Sequence, residues 1–143
     1  MNDLASRLNA VMDAFPAKTA LYCMDLTTGT PIAAIRENTR VVSASTIKVS
    51  ILCCALQDVM DGKLSLDQPL AIAPGDFCSD TEVFEPGYRQ DGASLWEMLY
   101  WMIVSSDNTA TNTVISLLGY DHVNGYCRAI GLTQTCLLYT SDA

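Results

Sequence analysis

Residues 45–60 run Ser45-Thr46-Ile47-Lys48-Val49-Ser50-Ile51-Leu52-Cys53-Cys54-Ala55-Leu56-Gln57-Asp58-Val59-Met60. Behind Lys48 the run is apolar almost all the way round, the pattern of a buried helix. A hydroxyl and an ammonium at the mouth of such a helix need a reason. Residues i and i+3 share a helix face, so Ser45 and Lys48 point the same way. That sets a potential nucleophile beside a potential base at the positive end of a helix dipole. The plain alternative is that Ser43 or Ser45 serves only as an N-cap, a position where helices favour serine.

Composition narrows the classes. At 143 residues the chain is one domain or part of one. Apolar residues make up 50% and charged residues 17%, which suits a packed core and argues against disorder. The net charge of −8 offers no basic patch to phosphates, so nucleic acid is not an expected partner. No basic region followed by an apolar stretch comes after Met1, so no signal peptide is read here and the sequence as given points to the cytoplasm. The run after Lys48 is too short and too interrupted for a membrane span. The six cysteines contain no Cys-x-x-Cys pair and are expected to be buried thiols in a reducing compartment. His122 is the only histidine. With no cysteine or carboxylate at ligand spacing it gives no metal pattern. It reads as a surface residue at a helix start, and it is no base for Ser45 unless folding joins them. Neither metal nor cofactor is expected.

Taken in order, Asn2 or Asp3 caps a first helix whose stripe is Leu4, Leu8, Val11, Met12 and Phe15, and Pro16 stops it. Thr19 to Leu26 and Ile32 to Ile35 read as a hairpin around Thr27-Thr28-Gly29-Thr30. Helix and hairpin form a small α/β unit that needs more strands, and none are evident later in the chain. The central helix ends near Asp61-Gly62, and a short extended piece lies at Leu70 to Ile72. Residues 74–92 form a long turn-rich loop of the kind that is usually functional, where Phe84 and Tyr88 either line a cleft or anchor the loop. Ser94-Leu95-Trp96-Glu97 is a capping box opening a helix through Val104, with Trp96, Tyr100 and Trp101 read as packing residues. Thr109 to Leu118 is a further helix, and Asp121 is expected to cap a last one from His122 to Ile130 before Gly131.

Ser106-Asp107-Asn108 is the second polar knot, held between two apolar helices 61 residues after Ser45. Asp107 or Asn108 as an N-cap explains part of it. Ser-x-x-Lys followed at this distance by Ser-Asp-Asn resembles the class A serine β-lactamases and the related penicillin-binding enzymes, which add a third motif, Lys-Thr-Gly. The resemblance runs from the first helix and hairpin to Gly131-Leu132-Thr133. It implies an α+β, β-lactamase/transpeptidase-like fold, with an antiparallel sheet, flanking helices and an all-helical subdomain. It also implies roles. Ser45 is the acylated nucleophile, and its backbone N–H gives half of an oxyanion hole. Lys48 takes or relays the Ser45 proton. Ser106 passes a proton to the leaving nitrogen. Asn108 holds Lys48 and the substrate amide, while Asp107 is structural.

The sequence departs from that family in three places. It contains no Glu-x-x-Leu-Asn pattern for a deacylating glutamate and no Lys-Thr-Gly, and Cys136 to Ala143 breaks abruptly with the family. The expectation is that residues 1–135 are the N-terminal part of one catalytic domain and that residues 136–143 are a non-native tail. The parent is expected to be a monomeric hydrolase that opens β-lactams through an acyl-serine, with the 143-residue chain itself inactive. The alternatives are a D-alanyl-D-alanine peptidase-like, penicillin-binding hydrolase, or a non-catalytic binding module on the same fold. The family is usually exported, which stands against the absence of an export signal.

Overall fold

The computed structural model describes residues 2–79, 83–85, 89 and 91–138. It divides into two compact units, Met1–Val42 and Ser43–Ala143. The first is the small α/β unit expected from the sequence. It contains α1 (Asn2–Ala14), β1 (Leu21–Met24) and β2 (Pro31–Ile35). The strands pair antiparallel with Leu21 opposite Ile35, and a bulge falls between Cys23 and Met24. Asp25 shapes the turn: its Oδ1 accepts from the Thr27 and Thr28 N–H groups, as aspartate does in Asx turns. Alternation along β2 buries Ala33 and Ile35 while Ile32 stays exposed. Leu4, Val11 and Phe15 of the α1 stripe are exposed, and only Leu8 and Met12 of it are half-buried. Two strands give that stripe too little surface to bury against.

The second unit holds a 3₁₀ turn (Ala44–Thr46), α2 (Ile47–Met60), β3 (Pro69–Leu70), a 3₁₀ turn (Pro74–Asp76), β4 (Ala93–Ser94), α3 (Leu95–Val104), α4 (Asn108–Leu118) and α5 (Tyr120–Ala129). Strands are therefore present beyond the hairpin, where none were expected. β3 and β4 pair antiparallel, Pro69 with Ser94 and Leu70 with Ala93. Gly92 makes that approach possible. Its φ is 88°, and a Cβ there would lie 1.8 Å from the Leu70 carbonyl oxygen. The capping box forms as read, with Ser94 and Glu97 exchanging side-chain and backbone bonds.

The core gathers Ile51, Cys54 and Ala55 of α2, Leu95, Met98 and Met102 of α3, Ala110 and Val114 of α4, and Val123 and Cys127 of α5. Two expectations change here. α2 buries one face, not its whole circumference: Val49 and Leu56 are exposed, and Met60 is 80% exposed. Along one flank of α2 and α3, Leu52, Leu56, Leu66, Trp96, Leu99, Tyr100, Ile103 and Val104 line an apolar groove of about 350 Å³. Trp96 and Tyr100 stack there, yet both remain exposed.

The start of α5 also differs. Asp121 lies inside its first turn, and the junction is Gly119, with φ 81° and ψ 143°, which closes α4 and opens α5. The cysteines are all free, but only Cys54 and Cys127 are buried, while Cys23 and Cys136 are exposed. Beyond α5, Asn124 grips the main chain of Leu137. Its Oδ1 accepts from the Leu137 N–H at 2.7 Å, and its Nδ2 donates to the carbonyl at 3.0 Å. No helix among the described residues is long and apolar enough to cross a membrane.

Candidate active site

Ser45 sits in the 3₁₀ turn just before α2, and Lys48 is the second residue of that α-helix. The turn is entered through Ala44 at φ 44°, left-handed backbone for a residue with a Cβ. Ser45 itself is exposed, whereas Lys48 is only 5% exposed. The ammonium is satisfied by the second polar knot. Lys48 Nζ donates to the Ser106 carbonyl at 2.6 Å, to Ser106 Oγ at 2.8 Å and to Asn108 Oδ1 at 2.8 Å. Ser106 Oγ in turn donates to Ser45 Oγ at 3.0 Å. All four sequence-predicted side chains thus meet in one hydrogen-bonded chain.

The order of that chain refines the expectation. Helical spacing places Ser45 and Lys48 on one face, but among the described residues they make no direct hydrogen bond. Ser106 is the link between them. It holds φ 59°, a strained backbone for a residue other than glycine. That conformation turns both its carbonyl and its hydroxyl onto Lys48.

Burial pushes the Lys48 pKa below its ordinary value of 10.5, against the opposing pull of Asp107 and Cys78. A lysine so shifted gives up its proton more readily than one in water.

Asp107 has the structural role expected, and a larger one. It is 1% exposed. Its Oδ1 caps α4 by accepting from the Ala110 N–H at 2.8 Å. Its Oδ2 accepts from the Val83 and Phe84 N–H groups at 2.9 and 3.3 Å, latching the long loop to the start of α4. Phe84 is fully buried and anchors that loop, and Arg89 lies over its ring. Tyr88 falls outside the described residues. A second latch also escaped sequence reasoning. Asn112 Nδ2 donates to the Asp76 carbonyl, Ser116 donates to the Asp76 carboxylate, and Cys78 N–H donates to Thr109 Oγ1. These partners lie 31 to 40 residues apart, beyond any local pattern.

His122 does not join Ser45. Its Nε2 lies 2.6 Å from Asp58 Oδ2. The apolar groove between α2 and α3 contains none of Ser45, Lys48, Ser106 or Asn108.

Solved structures resemble the fold that carries this site. An ancestral class A β-lactamase is similar over 98% of this chain and 54% of its own, at 28% identity and a TM-score of 0.86. A β-lactamase from Xanthomonas campestris pv. campestris matches at 26% identity and 0.85, over 97% and 52% of the two chains. PBP-A matches at 26% identity and 0.84, over 99% and 54%. The chain shares the β-lactamase/transpeptidase-like fold and spans about half the length of these solved relatives. No curated protein sequence matches it. The model of the β-lactamase enzyme family matches residues 3–141, nearly the whole chain. With that match, and with Ser45, Lys48, Ser106 and Asn108 hydrogen-bonded in one site, the chain belongs to the β-lactamase enzyme family.

Proposed function

We propose that this chain carries the acylating half of a class A β-lactamase-like serine hydrolase. The observation that supports the reading is the chain of hydrogen bonds from Ser45 through Ser106 to a desolvated Lys48. With Lys48 in the neutral form that burial favours, Ser45 Oγ attacks the lactam carbonyl carbon, and its proton passes through Ser106 Oγ to the free amine of Lys48, which becomes the ammonium. The carbonyl oxygen takes up negative charge against the backbone N–H of Ser45 at the head of α2. The C–N bond then breaks. The proton returns through Ser106 to the leaving nitrogen, and an acyl-serine remains. Asn108, already bonded to Lys48, holds the ammonium in place and offers its amide N–H₂ to the substrate side chain. The partner is a small β-lactam met by a monomer. Neither metal nor nucleic acid takes part.

The second reading is a penicillin-binding, peptidase-like hydrolase that acylates but deacylates slowly. The similarity to PBP-A supports it, because its 26% identity and TM-score of 0.84 lie close to the 26% and 0.85 of the Xanthomonas β-lactamase. The two share every group named above and differ in deacylation. The DNA downstream of the codon for Thr135 tests both. A frame continuing into Glu-x-x-Leu-Asn and then Lys-Thr-Gly supports the β-lactamase, with residues 136–143 a foreign tail. Lys-Thr-Gly without the glutamate favours the peptidase-like protein. A longer product that takes no labelled penicillin onto Ser45 overturns both. For the 143-residue chain alone we expect no steady turnover of a chromogenic cephalosporin.

A further inference from the structure

The single histidine of the chain has two companions that linear spacing conceals. Cys54 and Asp58 lie four residues apart on α2 and so share one face. His122, in the first turn of α5, packs onto that face from 64 residues further along. One ligand atom from each, Cys54 Sγ, Asp58 Oδ2 or Oδ1, and a His122 ring nitrogen, lies within 4.8 Å of the others. The thiol and the carboxylate are buried, and the imidazole side chain is 45% exposed.

The partners of these groups leave room for a ligand. Lys63 Nζ holds Asp58 Oδ1 at 3.0 Å, and His122 Nε2 holds Oδ2 at 2.6 Å. The buried Cys54 thiol makes no hydrogen bond among the described residues, although it faces this pair. We propose that Cys54, Asp58 and His122 form a binding site for one divalent transition-metal ion of the zinc type. The ion is taken by Sγ, Oδ2 and Nε2, with a fourth position open to water on the exposed side of His122.

The donor set selects the ion class. Sulfur and imidazole nitrogen suit zinc and its late first-row neighbours, whereas calcium and magnesium require oxygen ligands. Bonds of about 2.0–2.3 Å in a tetrahedron set ligand atoms roughly 3.3–3.8 Å apart. The His122–Asp58 contact therefore opens by less than an ångström, which an exposed side chain can absorb. Charge also balances. The thiol loses its proton to solvent, the carboxylate is already ionised, and the imidazole binds as the neutral form protonated on Nδ1. Two negative ligands neutralise the dication, so a buried net charge is avoided. Lys63 keeps its bond to Oδ1 and orients the carboxylate from outside the coordination sphere.

The site shares no residue with the Ser45 chain, so its test needs no hydrolase activity. The 143-residue chain, treated with chelator and shown to be helical by far-ultraviolet circular dichroism, is titrated with Co²⁺. One equivalent is expected to bind, giving the near-ultraviolet thiolate charge-transfer band and the visible bands of a four-coordinate ion. Zn²⁺ should erase them. His122→Gln should weaken Co²⁺ binding by on the order of a hundredfold, and Cys54→Ala should abolish the charge-transfer band. His122 is exposed, so His122→Gln keeps the test open should Cys54→Ala loosen the core. A folded chain that gives no thiolate band with excess Co²⁺, or bands untouched by His122→Gln, overturns the proposal.

Discussion

Asp107 gives the sharpest test of how the candidate site is held. Among the described residues its carboxylate serves three backbone N–H groups, Ala110 on the helix side and Val83 and Phe84 on the loop side. Asp107→Ala strands all three. At about 1–3 kcal/mol for each buried donor left without an acceptor, and with water able to reach the half-buried Val83, the loss is about 3–6 kcal/mol. That compares with a whole-domain stability of about 5–15 kcal/mol. Asp107→Ser separates the two functions. A serine at this position still caps α4 but is too short to reach the loop, so it should lose about 2–4 kcal/mol. The two variants should thus differ by about 1–2 kcal/mol, the worth of a cap. Urea unfolding followed by far-ultraviolet circular dichroism measures all three proteins. A loss below about 1 kcal/mol for Asp107→Ala refutes the latch, and equal losses for both variants refute the division between cap and loop.

Lys48→Ala should slow acylation of Ser45 by penicillin about 10²- to 10⁴-fold, read by intact mass after timed quenching; an unchanged rate removes Lys48 from the proton path. Ser106→Gly and Ser106→Ala should slow acylation alike, because both cut the link between Ser45 and Lys48. The glycine variant should be more stable than the alanine variant by about 0.5–1 kcal/mol, since only glycine accepts φ 59° without strain. Equal melting temperatures for the pair would contradict that. Asp58 predicts a pH dependence. Burial raises its carboxyl, but the hydrogen bonds from Lys63 and His122 outweigh this and hold it below 3.8. A folded value below the unfolded one stabilises the protein above the unfolded pKa, and that contribution vanishes as pH falls through the folded value. The stability gap between wild type and Asp58→Asn should therefore be widest near neutrality and close in acid. A gap that stays constant down to about pH 2 counts against it.

Much of the site was legible in the sequence because its chemistry sits in two short motifs. Ser45 and Lys48 could be named from type and spacing, Ser106 and Asn108 from the family resemblance that their motif carries, and the Ser94–Glu97 box from its pattern. What remained hidden depends on distance or on backbone conformation. Helical spacing reports a shared face but not that Ser106 bridges Ser45 to Lys48. The acceptors for Val83 and Phe84, and the carboxylate against His122, lie 23 to 64 residues away. β3 and β4 are two residues each, too short for any alternation to register. The apolar run of α2 foretold a helix buried all round, yet Val49, Leu56 and Met60 are exposed; composition cannot say which side finds a neighbour.

Gly119 carries a consequence for how this chain tolerates change. A Cβ there would meet nothing within 4 Å, so an added methyl group has room. Its φ of 81° and ψ of 143° nevertheless border the region open essentially to glycine alone. Saturation mutagenesis should find a position that is spatially empty and yet genetically frozen. The penalty is torsional, so enlarging the surrounding space by second-site changes cannot rescue a substitution. Because one residue sets the exit of α4 and the entry of α5, such a substitution should loosen the two helices together, and their amide protons should exchange as one block.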